Sequence, residues 1–162
     1  MDKSLLLYYR NLPKQWAKYD KSSFRISDVK FQTLVKKLKT APEGAVVYMK
    51  NACKLFVPIL IDEFKVFGID FVDYFDSAFS QERDFDIPFE NQIFVVYNVG
   101  LEKALNTEFS AKLLLGLIEK LKSQEKIVFV CSHLGYTDFY RKYEIDIVNK
   151  IQLQEKTDEP FL

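Results

Sequence analysis

Histidine, cysteine and glycine are scarce in this chain of 162 residues, which has one histidine, two cysteines and five glycines. Since His133 is the single histidine, a zinc site built on paired histidines is excluded. Cys53 and Cys131 match no zinc-ligand spacing. They also provide no disulfide framework, which is typical of a reduced compartment. We therefore expect no metal and no cofactor.

Net charge and long apolar segments are lacking as well. Lys+Arg and Asp+Glu both number 23, so the formal net charge is zero. A balanced chain lacks the positive electrostatic potential expected of a dedicated nucleic-acid-binding protein. The apolar run Leu5–Tyr9 is too short for a signal peptide or a membrane span. Hydrophobic residues make up 48% and aromatic residues 15% of the chain, which predicts one soluble, cytoplasmic globular domain with a substantial core.

The stretch from 92 to 134 has the pattern strand, polar loop, amphipathic helix, strand. Ile93–Tyr97 and Ile127–Cys131 are short apolar runs, typical of strands buried on both faces. Apolar residues between them recur at helical spacing: Leu113, Leu114, Leu117, Ile118 and Leu121. Such a unit is a right-handed parallel crossover. Function is then expected where the strands end, at residues 98–102 and 132–138.

Further apolar runs predict three more strands: Ala45–Met49, Ile69–Val72 and Ile145–Leu153. A helix is expected from near Phe56 to Gly68, because Pro58 is tolerated only in a first helical turn. The predicted fold class is α/β, a three-layer sandwich with a mostly parallel sheet of about five strands.

Three regions are predicted along the chain: an arm over residues 1–40 that packs on or extends from the core, an α/β domain over 41–156, and a tail over 157–162. Exposed apolar side chains in the arm and the tail are candidates for partner binding: Leu5, Leu6, Tyr8, Tyr9, Trp16 and Phe161. The tail Asp158–Leu162 resembles the acidic Pro-Phe tip of bacterial single-strand-binding proteins, which docks replication partners. A frayed terminus is the alternative.

Several motifs occur in a fixed order between residues 10 and 135. Leu12-Pro13-Lys14 precedes a predicted helix, and GAVVYMKNACKLF is a strand followed by a turn containing Lys54. The strands in IFVVYNVGLE and IVFVCSH both end in polar residues. This order resembles the core of bacterial replicative helicase loaders, which are AAA+ P-loop ATPases. The resemblance implies a P-loop NTPase-like core, here lacking the lid, and a role in DNA replication.

The chain departs from that family at the nucleotide site. A P-loop, G-x-x-x-x-G-K-[ST], needs closely spaced glycines so that backbone N–H groups can wrap the phosphates, and no two glycines here lie within five residues. In the segment that matches Walker B, Tyr97 and Asn98 replace the two carboxylates of the motif. The matched, degenerate positions are Tyr48, Cys53, Lys54, Leu55, Tyr97, Asn98, Glu102, Ser132 and His133. We expect no catalysis of the P-loop type.

The resulting hypothesis is a non-catalytic replication accessory or adaptor that binds a helicase, a loader or a single-strand-binding protein. One alternative is a divergent ATPase subunit whose site is completed by a partner, and another is a DNA-binding module, which the neutral charge disfavours. Thiol or hydroxyl chemistry at Cys131, Ser132 and His133, or acid–base chemistry by Glu102 and Asp138, is a further alternative. A homo-oligomer is compatible with the sequence, and no membrane association is expected.

Overall fold

A computed structural model describes residues 2–20, 22, 28–40, 45–51, 53–80, 86–103 and 107–151 of the chain. Its sheet has five strands in the order β2-β3-β4-β1-β5, and every pairing between them is parallel. The strands are β1 Val46–Lys50, β2 Val66–Asp70, β3 Ile93–Val99, β4 Ile127–Ser132 and β5 Asn149–Ile151.

Helices cover both faces of this sheet. The α-helices are α1 Lys3–Tyr9, α2 Asp28–Thr40, α3 Cys53–Leu60, α4 Phe71–Ser80, α5 Thr107–Ser123 and α6 Tyr136–Tyr143, and a 3₁₀ helix spans Lys14–Lys18. Apolar residues of α1, α2 and α3 form one core cluster with the sheet, and those of α5 and α6 form the other. The predicted three-layer α/β sandwich is therefore confirmed.

The two clusters arise from the alternation of side chains along the buried strands. In β1, Met49 packs into the first cluster and Tyr48 into the second. In the central strands, Phe129 faces the first cluster and Phe94 the second. Both phenylalanines are fully buried, and each such side chain contributes about 1.5–3 kcal/mol through removal from water. Burial on both faces explains the nearly uninterrupted apolar sequence of β3 and β4.

The N-terminal segment, residues 2–20, is attached to β2, the strand at one edge of the sheet. The Gly68 N–H donates to the carbonyl of Arg10 at 2.8 Å, and Asn11 Nδ2 donates to the Gly68 carbonyl at 2.9 Å. Leu7 and Leu12 are buried in the first cluster. This segment thus covers an edge that would otherwise expose unpaired backbone groups.

The boundaries around α3 differ from the sequence prediction. The helix begins at Cys53 rather than near Phe56, because Asn51 adopts a left-handed conformation with φ of 52° and turns the chain directly after β1. Pro58 lies inside α3, where it lacks the N–H that would bond the carbonyl four residues earlier. Gly68 does not end this helix but lies within β2.

The last strand is also shorter than predicted. The structure assigns β5 to Asn149–Ile151, whereas the alternating pattern predicted Ile145–Leu153. Ile145 and Ile147 are nevertheless buried in the second cluster. Leu153 and the whole predicted tail, 157–162, lie outside the described residues. Among the residues that are described, no helix has the length and apolarity needed to cross a membrane.

Candidate functional site

A crevice opens at the carboxyl edge of the sheet, where β1, β3 and β4 end. The chain leaving β1 passes through α3 on one face, whereas the chain leaving β4 passes through α6 on the other. Diverging connections of this kind create the crevice in which open α/β sheets bind ligands. The cavity measures about 200 Å³ and is lined by Trp16, Asn51, Cys53, Lys54, Tyr97, Asn98, Val99, Leu101, Cys131, Ser132 and His133.

Six of the nine predicted site residues line this cavity: Cys53, Lys54, Tyr97, Asn98, Ser132 and His133. Tyr48, Leu55 and Glu102 are not among its lining residues. Asn51 was missed by the sequence prediction, although an Asn directly after a buried strand signals a residue that tolerates the left-handed conformation. Trp16 was predicted to bind a partner, yet it contributes to the wall of this cavity.

Left-handed residues shape the strand ends around the cavity. Asn51 has φ of 52° and Asn98 has φ of 60°. The Asn51 N–H donates to the carbonyl of Ser132 at 2.9 Å, which closes the end of β1 onto β4. The β3–β4 register shifts between Val96 and Val99, and Asn98 Nδ2 there donates to Asp70 Oδ2 at 3.3 Å. The amide of Asn98 is thereby held toward β2.

Residues of the N-terminal segment cover one side of the cavity. Trp16 packs edge-on against Tyr97, with ring centroids 5.5 Å apart. The hydroxyl of Tyr97 donates to the carbonyl of Asn11 at 3.1 Å. Lys54, the lysine that matches the P-loop position, has its Nζ 5.6 Å from the centroid of the Tyr19 ring. The cation is thus directed at an aromatic face, an arrangement that stabilises a lysine by about 0.5–1 kcal/mol.

Cys53 and Cys131 form a disulfide, so the expectation that the chain has none was wrong. The residues are 78 apart in sequence, and their Cα atoms lie 6.1 Å apart, within the range of protein disulfides. The contact follows from topology: β1 pairs with β4 so that Met49 lies opposite Cys131, and α3 begins four residues after Met49. Sequence spacing gives no signal of this pairing.

At the end of β4, the thiol and hydroxyl groups that were candidates for nucleophilic chemistry are already bonded to other groups. Cys131 is bonded to Cys53. The Ser132 hydroxyl donates to the carbonyl of Val99 at 2.7 Å and accepts from the Leu134 N–H at 3.1 Å. His133 is exposed, and its ring approaches Gly100, where an added Cβ would lie 3.0 Å from Cε1. A serine whose proton is directed at a backbone carbonyl is not activated by a neighbouring base.

Glu102 lies in a buried polar network beside the cavity. It is 5% exposed and accepts hydrogen bonds from the Gly100 N–H at 2.9 Å, from the Ser110 hydroxyl at 2.7 Å and from the Tyr143 hydroxyl. Burial, followed by this bond to Glu102, raises the pKa of Tyr143. Asp138 instead faces solvent and lies 3.9 Å from Arg141. The two carboxylates thus have separate partners.

The other two predicted positions belong to the core. Tyr48 is 2% exposed, its hydroxyl donates to the carbonyl of Leu134, and burial raises its pKa. Leu55 is 1% exposed and packs in the first cluster. Within the described residues, no group of three or more His, Cys, Asp or Glu side chains could hold a metal ion.

The partner-binding candidates divide between exposed and packed positions. Leu5, Tyr8 and Tyr9 are 42%, 58% and 66% exposed, whereas Leu6 is partly buried against the first cluster. Phe161 lies outside the described residues.

No protein-family model matches the chain. No curated protein is significantly similar to it.

Proposed function

We propose that this protein is a non-catalytic, cytoplasmic accessory of DNA replication that acts as an adaptor between proteins, on a P-loop NTPase-like core without a working nucleotide site. One observation carries the non-catalytic part: among the residues that the structure describes, no Asp or Glu side chain lines the cavity at the carboxyl edge. Mg²⁺ in nucleotide sites requires carboxylate, hydroxyl or water oxygens held in place by the protein. The described wall of the cavity offers no carboxylate for this purpose, and the hydroxyl of Ser132 is already bonded to Val99 and Leu134.

The size and walls of the cavity support the same proposal. A volume of about 200 Å³ is below the roughly 300–1,000 Å³ typical of small-molecule sites. Trp16 and Tyr97 occupy one side, and the Nζ of Lys54 lies over Tyr19. A triphosphate would have to displace this N-terminal packing and would meet no glycine-rich loop.

Helix α1 offers the surface for the adaptor role. Leu7 anchors the helix in the core, while Leu5, Tyr8 and Tyr9 are exposed. The rings of Tyr8 and Tyr9 pack edge-on, with their centroids 5.7 Å apart. Lys14 Nζ lies 4.7 Å from the centroid of the Tyr8 ring. Paired tyrosines on an anchored helix lose little side-chain entropy on binding, which is why tyrosine is enriched at protein interfaces.

The adaptor role is tested by affinity capture in which three proteins serve as separate baits: the replicative helicase, a helicase loader and a single-strand-binding protein. We expect the double variant Tyr8→Ala/Tyr9→Ala to weaken helicase capture by at least about tenfold, since buried interface tyrosines contribute on the order of 2 kcal/mol each. Tyr140→Ala is the matched control, because Tyr140 is 47% exposed on α6. Equal capture by both variants, or capture of none of the three baits, would contradict the proposal.

The missing nucleotide site is tested separately by calorimetry with ATP, with and without Mg²⁺. We expect no binding heat from the wild-type protein or from Lys54→Ala. Saturable, Mg²⁺-dependent binding that is lost in Lys54→Ala would favour the divergent ATPase instead. DNA affinity that falls steeply with salt concentration would favour the DNA-binding module.

A further inference from the structure

The disulfide between Cys53 and Cys131 lies where the first core cluster meets the wall of the carboxyl-edge cavity. Both cysteines line this cavity of about 200 Å³, although the two residues are only 2% and 5% exposed. The cavity is large enough for the sulfur-bearing end of a small molecule and too small for a protein loop. Small thiols therefore have a route to the bond.

We propose that the Cys53–Cys131 pair is a reversible redox site, reduced by a low-molecular-weight thiol and re-formed by the corresponding small-molecule disulfide. Disulfides in reducing compartments are usually transient and redox-active rather than structural. The cytoplasmic location belongs to the proposed function, but the exchange chemistry of the pair depends only on its position.

Position also sets the direction of the exchange. The thiolate of the small thiol attacks Sγ of Cys131, because Cys53 is then the leaving group. The bond between Sγ of Cys131 and Sγ of Cys53 breaks, and Cys53 leaves as a thiolate. Cys53 is the first residue of α3, and the amino end of a helix stabilises a negative sulfur.

A second small thiolate then attacks the outer sulfur of the mixed disulfide and releases the Cys131 thiolate. The net reaction converts two small thiols and the protein disulfide into one small-molecule disulfide and two protein thiols. The reverse reaction, with a small-molecule disulfide as oxidant, restores the bond between Cys53 and Cys131.

Reduction has a structural consequence because the bond ties the start of α3 to the end of β4. Lys54, the next residue of α3, lines the same cavity together with Trp16. Loss of the bond releases the first turn of α3 and changes the surroundings of Trp16. Since Trp16 is the single tryptophan of the chain, its fluorescence reports on the cavity without interference.

The test equilibrates the native, full-length protein with mixtures of glutathione and glutathione disulfide. Free thiols are then alkylated and counted by mass spectrometry, and Trp16 emission is recorded. We expect two thiols to appear and disappear together, reversibly, with an emission change that follows their number.

The double variant Cys53→Ala/Cys131→Ala is the matched control and should show no emission change across the same mixtures. The wild-type titration decides the proposal even if a variant does not fold. A disulfide that millimolar glutathione reduces only in denaturant would be a structural cross-link and would overturn the proposal. So would two thiols that never pair under glutathione disulfide. If the exchange is reversible but the wild-type protein does not capture the helicase, only the adaptor role is disproved.

Discussion

The carboxyl group of Glu102 is almost completely removed from solvent. A buried carboxylate requires compensating hydrogen bonds, and Glu102 receives them from Gly100, Ser110 and Tyr143. The network joins the loop after β3 to α5 and α6. Its role is therefore to fix how these two helices sit against the sheet.

Removing one donor of this network should destabilise the fold. In Tyr143→Phe the ring remains, but Glu102 Oε1 keeps only the Ser110 hydroxyl among its present donors. We expect the free energy of unfolding to fall by about 1–3 kcal/mol, measured by urea denaturation near neutral pH. Tyr140→Phe, on the exposed side of the same helix, should change it by less than about 0.5 kcal/mol. Equal effects of the two substitutions would show that the network contributes little.

At the scale of elements, the N-terminal segment and β2 approach closely because Gly68 has no side chain. A Cβ on Gly68 would lie 2.4 Å from the Asn11 carbonyl oxygen and 2.6 Å from Leu12 Cδ2. The oxygen belongs to the backbone and cannot move without disturbing the hydrogen bonds between this segment and β2. The glycine thus permits the docking that orients Trp16 and Tyr97.

Gly68→Ala should therefore loosen the N-terminal segment. We expect a loss of about 1–3 kcal/mol in the free energy of unfolding, typical of overpacking, together with faster amide hydrogen exchange in residues 3–12. Gly116→Ala is the matched control, because a Cβ on Gly116 in α5 meets no atom within 4 Å. That substitution should stabilise the protein by about 0.5–1 kcal/mol. Unchanged exchange in Gly68→Ala would mean that the segment is held by other contacts.

The same attachment affects how the α1 surface is tested. Deleting residues 1–14 would remove Leu7 and Leu12 from the core cluster and the hydrogen bonds to Gly68. Loss of binding by such a deletion would not separate docking from unfolding. Substitution of the exposed Tyr8 and Tyr9 leaves the anchoring residues in place.

For the whole molecule, buried tyrosines determine the response to alkaline pH. Burial raises the pKa of Tyr97, and the nearby charges of Asp70 and Asp73 raise it further. The pKa of Tyr143 is raised by burial and by the bond to Glu102. An unfolded chain releases its phenolic protons near about pH 10, whereas the folded protein retains these two at that pH.

Stability should consequently fall as the pH rises above about 10, because the folded state then binds more protons than the unfolded state. The contribution is fully present below that pH and is lost as the pH rises through the raised pKa values. Each tyrosine should contribute a slope of up to about 1.4 kcal/mol per pH unit. Urea denaturation between about pH 8 and pH 11 measures this slope, which should be smaller in Tyr97→Phe than in the wild type.

The fold was predictable from local patterns because parallel strands buried on both faces need apolar runs. The runs at Ile93 and Ile127 and the apolar stripe of α5 placed the central crossover correctly. Boundaries near α3 were less predictable, since the turn at Asn51 and the tolerance of Pro58 depend on backbone conformation. The carboxyl edge followed from strand direction, so six of nine predicted site residues line its cavity.

Sequence alone determined the composition of the core, the α/β layering and the absence of a glycine-rich phosphate loop, because each follows from residue types along a short stretch. Tertiary structure decided which residues distant in sequence come into contact. It paired Cys53 with Cys131, buried Glu102 against Tyr143 and brought Trp16 to Tyr97. These contacts join residues far apart in the chain, and strand order, which no local pattern encodes, sets their distances.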